Sequence, residues 1–331
     1  MNQLVSLTVK PKILATSSRL TRADRWDHFL VRIGHKRGEH RVAPGLYALG
    51  NPSPESSVFV TANYTLSFDA LRSSLAGIDA YILVLDTRGI NVWCAAGKGT
   101  FGTDEIVLRV HQTQLKEVVT HRTLILPQLG APGVAAHQVK KRTGFRVEYG
   151  PVRAADLPEY LKTREAAPEM RRVRFRLGDR MTLLPVEVRN HLLPMLVAAF
   201  ILYFLGGWIS ALAAIACLLA GSALFPVLLP WLPTRNFSTK GFFLGGVVAL
   251  PFALSALLGH PDWPWWRQAG QGLEFLLAMP AVTAFVAINF TGASTFTSRT
   301  GVRREMYAYI PVMAVTFASG ALLAIIFAFV R

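Results

Sequence analysis

Cysteine is the scarcest reactive residue in this 331-residue chain, with two, Cys94 and Cys217. Two thiols rule out a disulfide framework. They also rule out an iron–sulfur cluster held by this chain alone, because such clusters take about four cysteine ligands. Acidic residues are few as well, 20 against 35 lysines and arginines, and the shortage of charge is uneven. Residues 1–190 hold 28 of the basic and 17 of the acidic side chains, while residues 191–331 hold 7 and 3. An export signal is a third absence. "MNQLVSLTVKPK" does not run from charged to apolar to small residues, so the charged half is expected to stay in the cytoplasm, where few cysteines are at home. The net charge of +15 raises nucleic acid as a partner. The basic residues are not interleaved with aromatics in one patch, however, and membrane lipid with an anionic surface fits them better.

What the second half has in place of charge is length. A membrane span needs about 20 apolar residues. Residues 192–233 run twice that far without a charge, and Gly206-Gly207 near the middle allows a turn between two spans. Segments 241–259, 269–292 and 307–330 bring the count to five. With the charged half inside, the inner loops receive Arg189, Arg235, Lys240, Arg299, Arg303 and Arg304, and the outer loops only Asp262, Arg267 and Arg331. That bias satisfies the positive-inside rule, and Trp263, Trp265 and Trp266 fall at the outer interface as an aromatic belt does. Glu274 is the one ionisable group expected inside a span. So little intramembrane charge favours an anchor over a transporter, with Cys217 a packing residue. Between the halves, residues 166–190 form a basic juxtamembrane linker, within which 170–188 reads as a hairpin around Gly178-Asp179.

The charged half, residues 1–165, alternates strand and helix from residue 58 onward. Strands are expected at 58–64, 81–87, 123–130 and 145–150. Helices are expected at 67–77 opened by Ser67, at 103–115 opened by Thr103, at 134–144 and at 154–163. This alternation predicts a Rossmann-like α/β domain with a parallel sheet covered on both faces. Such sheets bind ligands at the carboxyl ends of their strands. Residues 42–57 read as a turn-rich lead, and the pattern of 1–41 specifies no element.

One stretch follows such a strand end, "NVWCAAGKG", residues 91–99. Asn91 is a suitable N-cap and Gly99 a suitable C-terminal stop, which predicts about two turns of helix over Val92–Lys98. Cys94 then lies in the first turn, where the helix dipole favours an anionic thiolate. Ala95, Ala96, Gly97 and Gly99 remove bulk, so a flat, wide group can lie against the helix, and Lys98 adds positive charge one turn on. A phosphate-binding loop is excluded, because Gly99 follows Gly97-Lys98 and Val92 holds the place of the first glycine. Three readings stay open: a catalytic cysteine with His111, His121 or His137 as its base, a packing cysteine, and a thiolate ligand to a metal in a planar macrocycle.

"INVWCAAGKGTFGTDE" (90–105), after "VFVTANYTLSFDALR" (58–72) and "YILVLDTRG" (81–89), resembles the HgcA family, the membrane corrinoid proteins of microbial mercury methylation. The basic linker and five spans fit the same family, so the resemblance covers nearly the whole chain. Residues 42–165 are also similar, more distantly, to the corrinoid domain of the corrinoid iron–sulfur protein, with the later likeness in "LILPQLGAPGVAAHQVKKRTGFRVEYGPVRAADLPEYL" (124–161).

The resemblance implies a cobalamin-type corrinoid, bound base-off, with Cys94 as lower axial ligand to cobalt. Thr61, Asn91, Trp93, Ala95, Ala96, Gly97 and Lys98 fall where the lower face of the cobalt would be shaped. Gly130, Gly133, Gly150 and Val152 fall in loops where backbone would meet the corrin amides. The D-x-H-x-x-G motif of other cobalamin domains is absent, and thiolate ligation makes its histidine unnecessary. The implied reaction passes a methyl group through methyl-cobalt(III) to inorganic mercury(II), forming methylmercury. It needs a ferredoxin-like partner with two [4Fe–4S] clusters as reductant and a methyltetrahydrofolate-linked methyl donor. It implies an inner-membrane protein with its N-terminal domain in the cytoplasm and its C-terminus outside. A membrane-anchored corrinoid methyl carrier in one-carbon metabolism is the alternative, and a transporter with a regulatory domain is disfavoured by the lack of intramembrane charge.

Overall fold

Two apolar runs set the fold of the first half. Val58–Ala62 and Ala80–Leu85 are buried along their whole length, as strands covered on both faces must be. Side chains alternate across a strand, and the two cores follow that parity. Val58, Val60, Ala62, Tyr81, Leu83 and Leu85 face one layer, while Phe59, Ala80, Ile82 and Val84 face the other.

The computed structural model describes residues 11–259, 261–293 and 299–329. It divides into two units, Met1–Val173 and Arg174–Arg331. Of the sequence expectations, the N-terminal ten residues and Arg331 lie outside the described residues.

In the first unit, strands β1 (Ile13–Thr16), β2 (Gly45–Leu49), β3 (Val58–Ala62), β4 (Ala80–Leu85), β5 (Thr123–Leu126) and β6 (Arg146–Tyr149) form one sheet in the order β1-β2-β4-β3-β5-β6. All neighbours run parallel except β2 and β4. The helices are α1 (Arg22–Arg32), α2 (Thr65–Ser74), α3 (Val92–Lys98), α4 (Thr103–Gln112), α5 (Leu115–Val118), α6 (Ala136–Thr143) and α7 (Leu157–Thr163). Residues of α3, α4, α5 and α6 pack on one face of the sheet, and residues of α2 and α7 on the other.

The expectation of a parallel sheet holds for β3 to β6 and needs correction at β2, which lies inside the stretch read as a turn-rich lead. Its five residues include Gly45 and Ala48, too little β-branched character to mark a strand. Two helix starts also differ. Gly102, not Thr103, is the N-cap of α4, because the Thr103 hydroxyl instead accepts the Ala135 N–H. Helix α2 begins at Thr65, two residues earlier than the expected Ser67.

Helix α1 is fastened by charge as well as by packing. Arg72, 7% exposed, donates to Asp69 and Asp24, and His28 Nε2 lies 2.7 Å from Asp69. His40 Nε2 donates to the His35 carbonyl at 2.7 Å while Nδ1 meets the Asp27 carboxylate. Acceptors facing both ring nitrogens favour the imidazolium form.

The second unit comprises α8 (Leu177–Met181), α9 (Leu184–Leu219), α10 (Phe225–Leu228), α11 (Phe237–Leu258), α12 (Trp265–Asn289) and α13 (Arg299–Phe329). Among the described residues four helices are long and apolar enough to cross a membrane, the first spanning the 52 residues Leu177–Leu228. That first helix is not straight. Gly207 adopts φ 78°, ψ −169° inside α9, a region open essentially to glycine alone. Arg180 donates to the Pro226 and Val227 carbonyls, groups that a straight helix would hold roughly 70 Å away at 1.5 Å per residue. The helix therefore doubles back as a hairpin of two antiparallel arms.

Polar contacts gather at one end of the unit and an aromatic pair marks the other. Lys240 donates to Leu229 and Leu232 carbonyls, Asn236 reaches the Tyr309 hydroxyl and Glu305 accepts the Ser238 N–H at one end. Trp266 stacks on Phe327 at the other.

The hairpin expected over 170–188 is not formed, because Gly178 and Asp179 lie within α8, where the Asp179 carboxylate accepts the Arg176 N–H. The stretch read as a linker is shared between the units. Met170 accepts the Val152 N–H in the first unit, while Phe175 meets the Phe290 ring in the second.

Burial alone would lower the pKa of His40, but the Asp27 carboxylate and the His35 carbonyl outweigh it and raise it above the usual 6.5. A raised histidine pKa contributes stability fully present below the unfolded value and lost as pH rises through the folded one. Amide exchange in α1, corrected for intrinsic rate, is expected to quicken relative to β4 as pH rises from the ordinary histidine value through the raised one. In His40→Gln that pH dependence disappears.

Candidate functional site

The sheet opens where its strand order reverses. β3 pairs with β4 over all five residues but with β5 only at Val58–Leu124 and Phe59–Ile125. Beyond Phe59 the strands β3 and β5 part at their carboxyl ends. The connection from β3 goes one way to β4 and later the other way to β5, so this is the topological switch point at which open α/β sheets bind ligands. A crevice of ≈ 310 Å³ lies there. Thr61 and Leu126 line it from the strand ends, Ser67 and Leu71 from α2, and Asn91 and Trp93 from the start of α3.

Helix α3 is held at this edge by its own ends and by β3. The Asn91 side chain accepts the Cys94 N–H at 2.9 Å, and Gly99 closes the helix at φ 81°, within the left-handed region that favours glycine. The expected limits, Val92 to Lys98, are the observed ones. The turn that leads into it is fixed by Asn63, 1% exposed, at the end of β3. Asn63 Oδ1 accepts the backbone N–H of Thr87 and of Gly89, both at 3.0 Å, while Nδ2 donates to Asp86. The Asp86 N–H in turn donates to Glu105, which pairs with Arg109. Sequence reasoning passes over Asn63, although an asparagine directly after a buried strand is a polar group that must find partners.

On α3 the side chains divide by exposure. Trp93, Gly97 and Lys98 are exposed and Cys94 is half-exposed, while Ala95 and Ala96 are buried. Gly97 and Lys98 stand three and four residues beyond Cys94, so the three share one helix face. The flat ground beside the thiol is thus made by Gly97. Ala95 and Ala96 are small for another reason: they pack inward, against the 3₁₀ segment Gln128–Gly133.

Gly130 and Gly133 serve the same packing. A Cβ at Gly133 would stand 2.2 Å from the Phe101 carbonyl oxygen and 3.0 Å from Ala96 Cα, and one at Gly130 would enter the Phe101 ring at 2.5 Å. Gly150 is buried at the end of β6, its N–H donating to Leu126. Val152 lines the crevice. The structure therefore brings Thr61, Asn91, Trp93 and Val152 to the crevice and sets Cys94, Gly97 and Lys98 on the adjoining open face. Ala95, Ala96, Gly130 and Gly133 lie beneath.

Chemically, the thiol of Cys94 is free. Among the described residues no histidine hydrogen-bonds it. His121 binds the Ser56 carbonyl and the Thr123 N–H at the opposite ends of β3 and β5, and His111 lies in the last turn of α4. A cysteine–histidine pair is not assembled. Nor, among the described residues, do three histidine, cysteine or acidic side chains gather to hold a metal ion. Cys94 can supply one ligand, and a metal that binds there must bring the others with it.

Comparison with known proteins now bears on the same residues. Residues 36–161 match the family described as CO dehydrogenase/acetyl-CoA synthase delta subunit. The chain is similar to the acetyl-CoA decarbonylase/synthase complex subunit gamma of Methanopyrus kandleri, 34% identical over 128 residues, which are 38% of this chain and 27% of that one. It is also similar to the gamma subunit of Archaeoglobus fulgidus, 32% identical over 124 residues, 37% and 26% of the two chains. The chain spans about a quarter of the length of the curated relatives it matches. The likeness covers the sheet from β2 to β6 and the whole of α3.

Asn63→Ala would strand buried N–H groups of the 87–89 turn, a loss of about 2 kcal/mol. It is expected to lower the melting temperature and to raise the rate at which Cys94 reacts with a thiol reagent, as the turn loosens. Gly133→Ala, which collides with backbone on both sides, is expected to do the same.

Proposed function

We propose that the first unit binds a corrinoid at the switch-point crevice, with the Cys94 thiolate as lower axial ligand to its cobalt, and that the protein transfers a methyl group to inorganic mercury(II). One observation carries the reading: a free thiol displayed on the open face of a short, doubly capped helix at the carboxyl edge of the sheet. Likeness over 36–161 to subunits of acetyl-CoA decarbonylase/synthase supports it. The residues present fit the group. A macrocycle brings the metal's equatorial ligands, Gly97 leaves the surface beside the thiol flat, and the apolar crevice lined by Trp93, Leu71, Leu126 and Val152 has room for the displaced base.

When bound, the corrinoid supplies a cobalt centre that accepts and passes on a methyl group. The chain's own residues prepare that centre. Asn91 and Gly99 fix the helix so that Cys94 would meet the cobalt from one direction, and its thiolate would donate electron density to the metal. Mercury(II) is an electrophile, so an anionic sulfur ligand from Cys94 would favour methyl transfer to it. Lys98, one turn from Cys94, offsets the thiolate charge. Asn63 and Gly133 are positioning residues, acting through α3.

The chain cannot renew the cobalt's electrons, because Cys94 and Cys217 are too few for a cluster. A ferredoxin-like protein with two [4Fe–4S] clusters supplies them, and a methyltetrahydrofolate-linked enzyme supplies the methyl group. The apolar helices anchor the protein in the cytoplasmic membrane, with the end bearing Lys240, Arg303 and Arg304 inside and the C-terminus outside. A membrane-anchored methyl carrier of one-carbon metabolism is the second reading, favoured by the gamma-subunit relatives.

The test is anaerobic reconstitution of the full chain with cobalamin, comparing wild type and Cys94→Ala. The wild type is expected to retain the corrinoid with an absorption spectrum that changes when the thiol is removed. Methylmercury formation, with donor and reductant supplied, is expected to fall by about 100-fold or more. Equal spectra and equal rates would refute the ligation. A corrin-bound protein that passes methyl groups to a thiol or cluster acceptor but not to mercury would favour the second reading.

A further inference from the structure

The membrane unit contains a larger cavity, ≈ 550 Å³, walled by both arms of α9 and by α11, α12 and α13. Its lining is mainly apolar, yet it includes two sulfur-bearing side chains, Cys217 and Met279, and one carboxylate, Glu274. Cys217 is 4% exposed and Met279 3%, and both belong to one packed cluster.

The second arm of α9 and α12 run side by side here, with Gly221 against Thr283 and Val286. The Thr283 hydroxyl donates to the Cys217 carbonyl at 3.1 Å, tying the second arm of α9 to α12. Met279 stands one turn before Thr283. The Cys217 thiol is turned back by the same direction, toward the Ala214 carbonyl at 3.2 Å. Glu274 lies five residues further toward the end that carries Trp263 and Phe327, roughly 7 Å along the axis at 1.5 Å per residue. A buried cysteine alone is an ordinary packing residue. Here it faces open volume together with a thioether and an ionisable group that is costly inside a membrane.

We propose that this cavity binds a soft, thiophilic d¹⁰ cation, with Cys217 thiolate and Met279 thioether as its ligands. Thiolate and thioether select such ions, whereas magnesium and calcium require six or more oxygens. The apolar walls suit a cation that arrives as an uncharged complex. With mercury dichloride the S–H bond breaks and a mercury–sulfur bond forms. One chloride leaves, the proton passes through water to the Glu274 carboxylate, and no electron is transferred. That the natural cation is mercury(II) rests on the function proposed above, while the site itself rests on the cavity.

The experiment uses the full chain in lipid nanodiscs carrying Cys94→Ala, so that Cys217 is its one thiol. Mercury dichloride is added, excess is removed with a weak chelator, and both retained mercury and alkylation of Cys217 are measured. One mercury per chain is expected, with Cys217 protected. Cys217→Ser or Cys217→Ala abolishes retention, Met279→Leu weakens it about tenfold, and Glu274→Gln slows loading. Circular dichroism confirms that each variant is folded. Retention unchanged by Cys217→Ser overturns the site. So do a Met279→Leu and a Glu274→Gln variant that both match their parent, since a plain buried thiol would then account for the metal. No readout involves corrin or methyl transfer, so failure here leaves the proposed function standing, and its failure leaves this result untouched.

Discussion

The position of Cys94 depends on one buried side chain that does not touch it. Asn63, at the end of β3, holds the turn from β4 to α3 through the N–H groups of Thr87 and Gly89 and through Asp86. A turn of this kind exposes unpaired backbone groups, and burying them without partners costs free energy at each one. Asn63 satisfies them from the neighbouring strand, so the entry to α3 is locked to the sheet. Gly133 completes the arrangement from below, because only a residue without a side chain lets the 128–133 segment approach Ala96 so closely. The result is a two-turn helix, too short to be stable alone, held rigidly at the mouth of a crevice.

The two units divide the work by the solvent each is built for. In the first, continuous apolar strands and helices on both faces make a core whose strands part at one edge. In the second, the glycine conformation at Gly207 folds a long apolar run into a hairpin, and the polar contacts of Arg180, Lys240 and Glu305 collect at one end. Among the described residues four helices of this unit are long and apolar enough to cross a membrane, and the break in α9 falls at a glycine. The same unit walls its mainly apolar cavity partly with small residues, Ala213, Ala214 and Ala278 among them.

Much of this was legible in the sequence, and the reasons differ from residue to residue. Helix α3 was readable to its end residues because Asn91 and Gly99 are strong local signals, and β3 to β6 were readable from their apolar runs. β1, α1 and β2 were not. β2 is short and poor in β-branched residues, while α1 is held by Asp24, Asp69, Arg72 and His28, contacts made between residues far apart in sequence. Gly178-Asp179 misled, since this pair suits a turn as well as the first turn of α8. At the site, Cys94 stood out by its rarity. The buried role of Ala95, Ala96, Gly130 and Gly133 could not be read, because small residues look alike whether they face a ligand or a neighbouring backbone. Asn63 escaped notice for another reason: its partners, Asp86, Thr87 and Gly89, lie in the turn after the neighbouring strand.

The claim on which the rest turns is a bond between the Cys94 sulfur and cobalt. Cobalt X-ray absorption on the anaerobically reconstituted chain measures that bond directly. The account predicts a sulfur scatterer in the cobalt's first coordination sphere, replaced by a lighter atom in Cys94→Ser. A spectrum with nitrogen and oxygen alone around cobalt in the wild type, unchanged by the substitution, would contradict it.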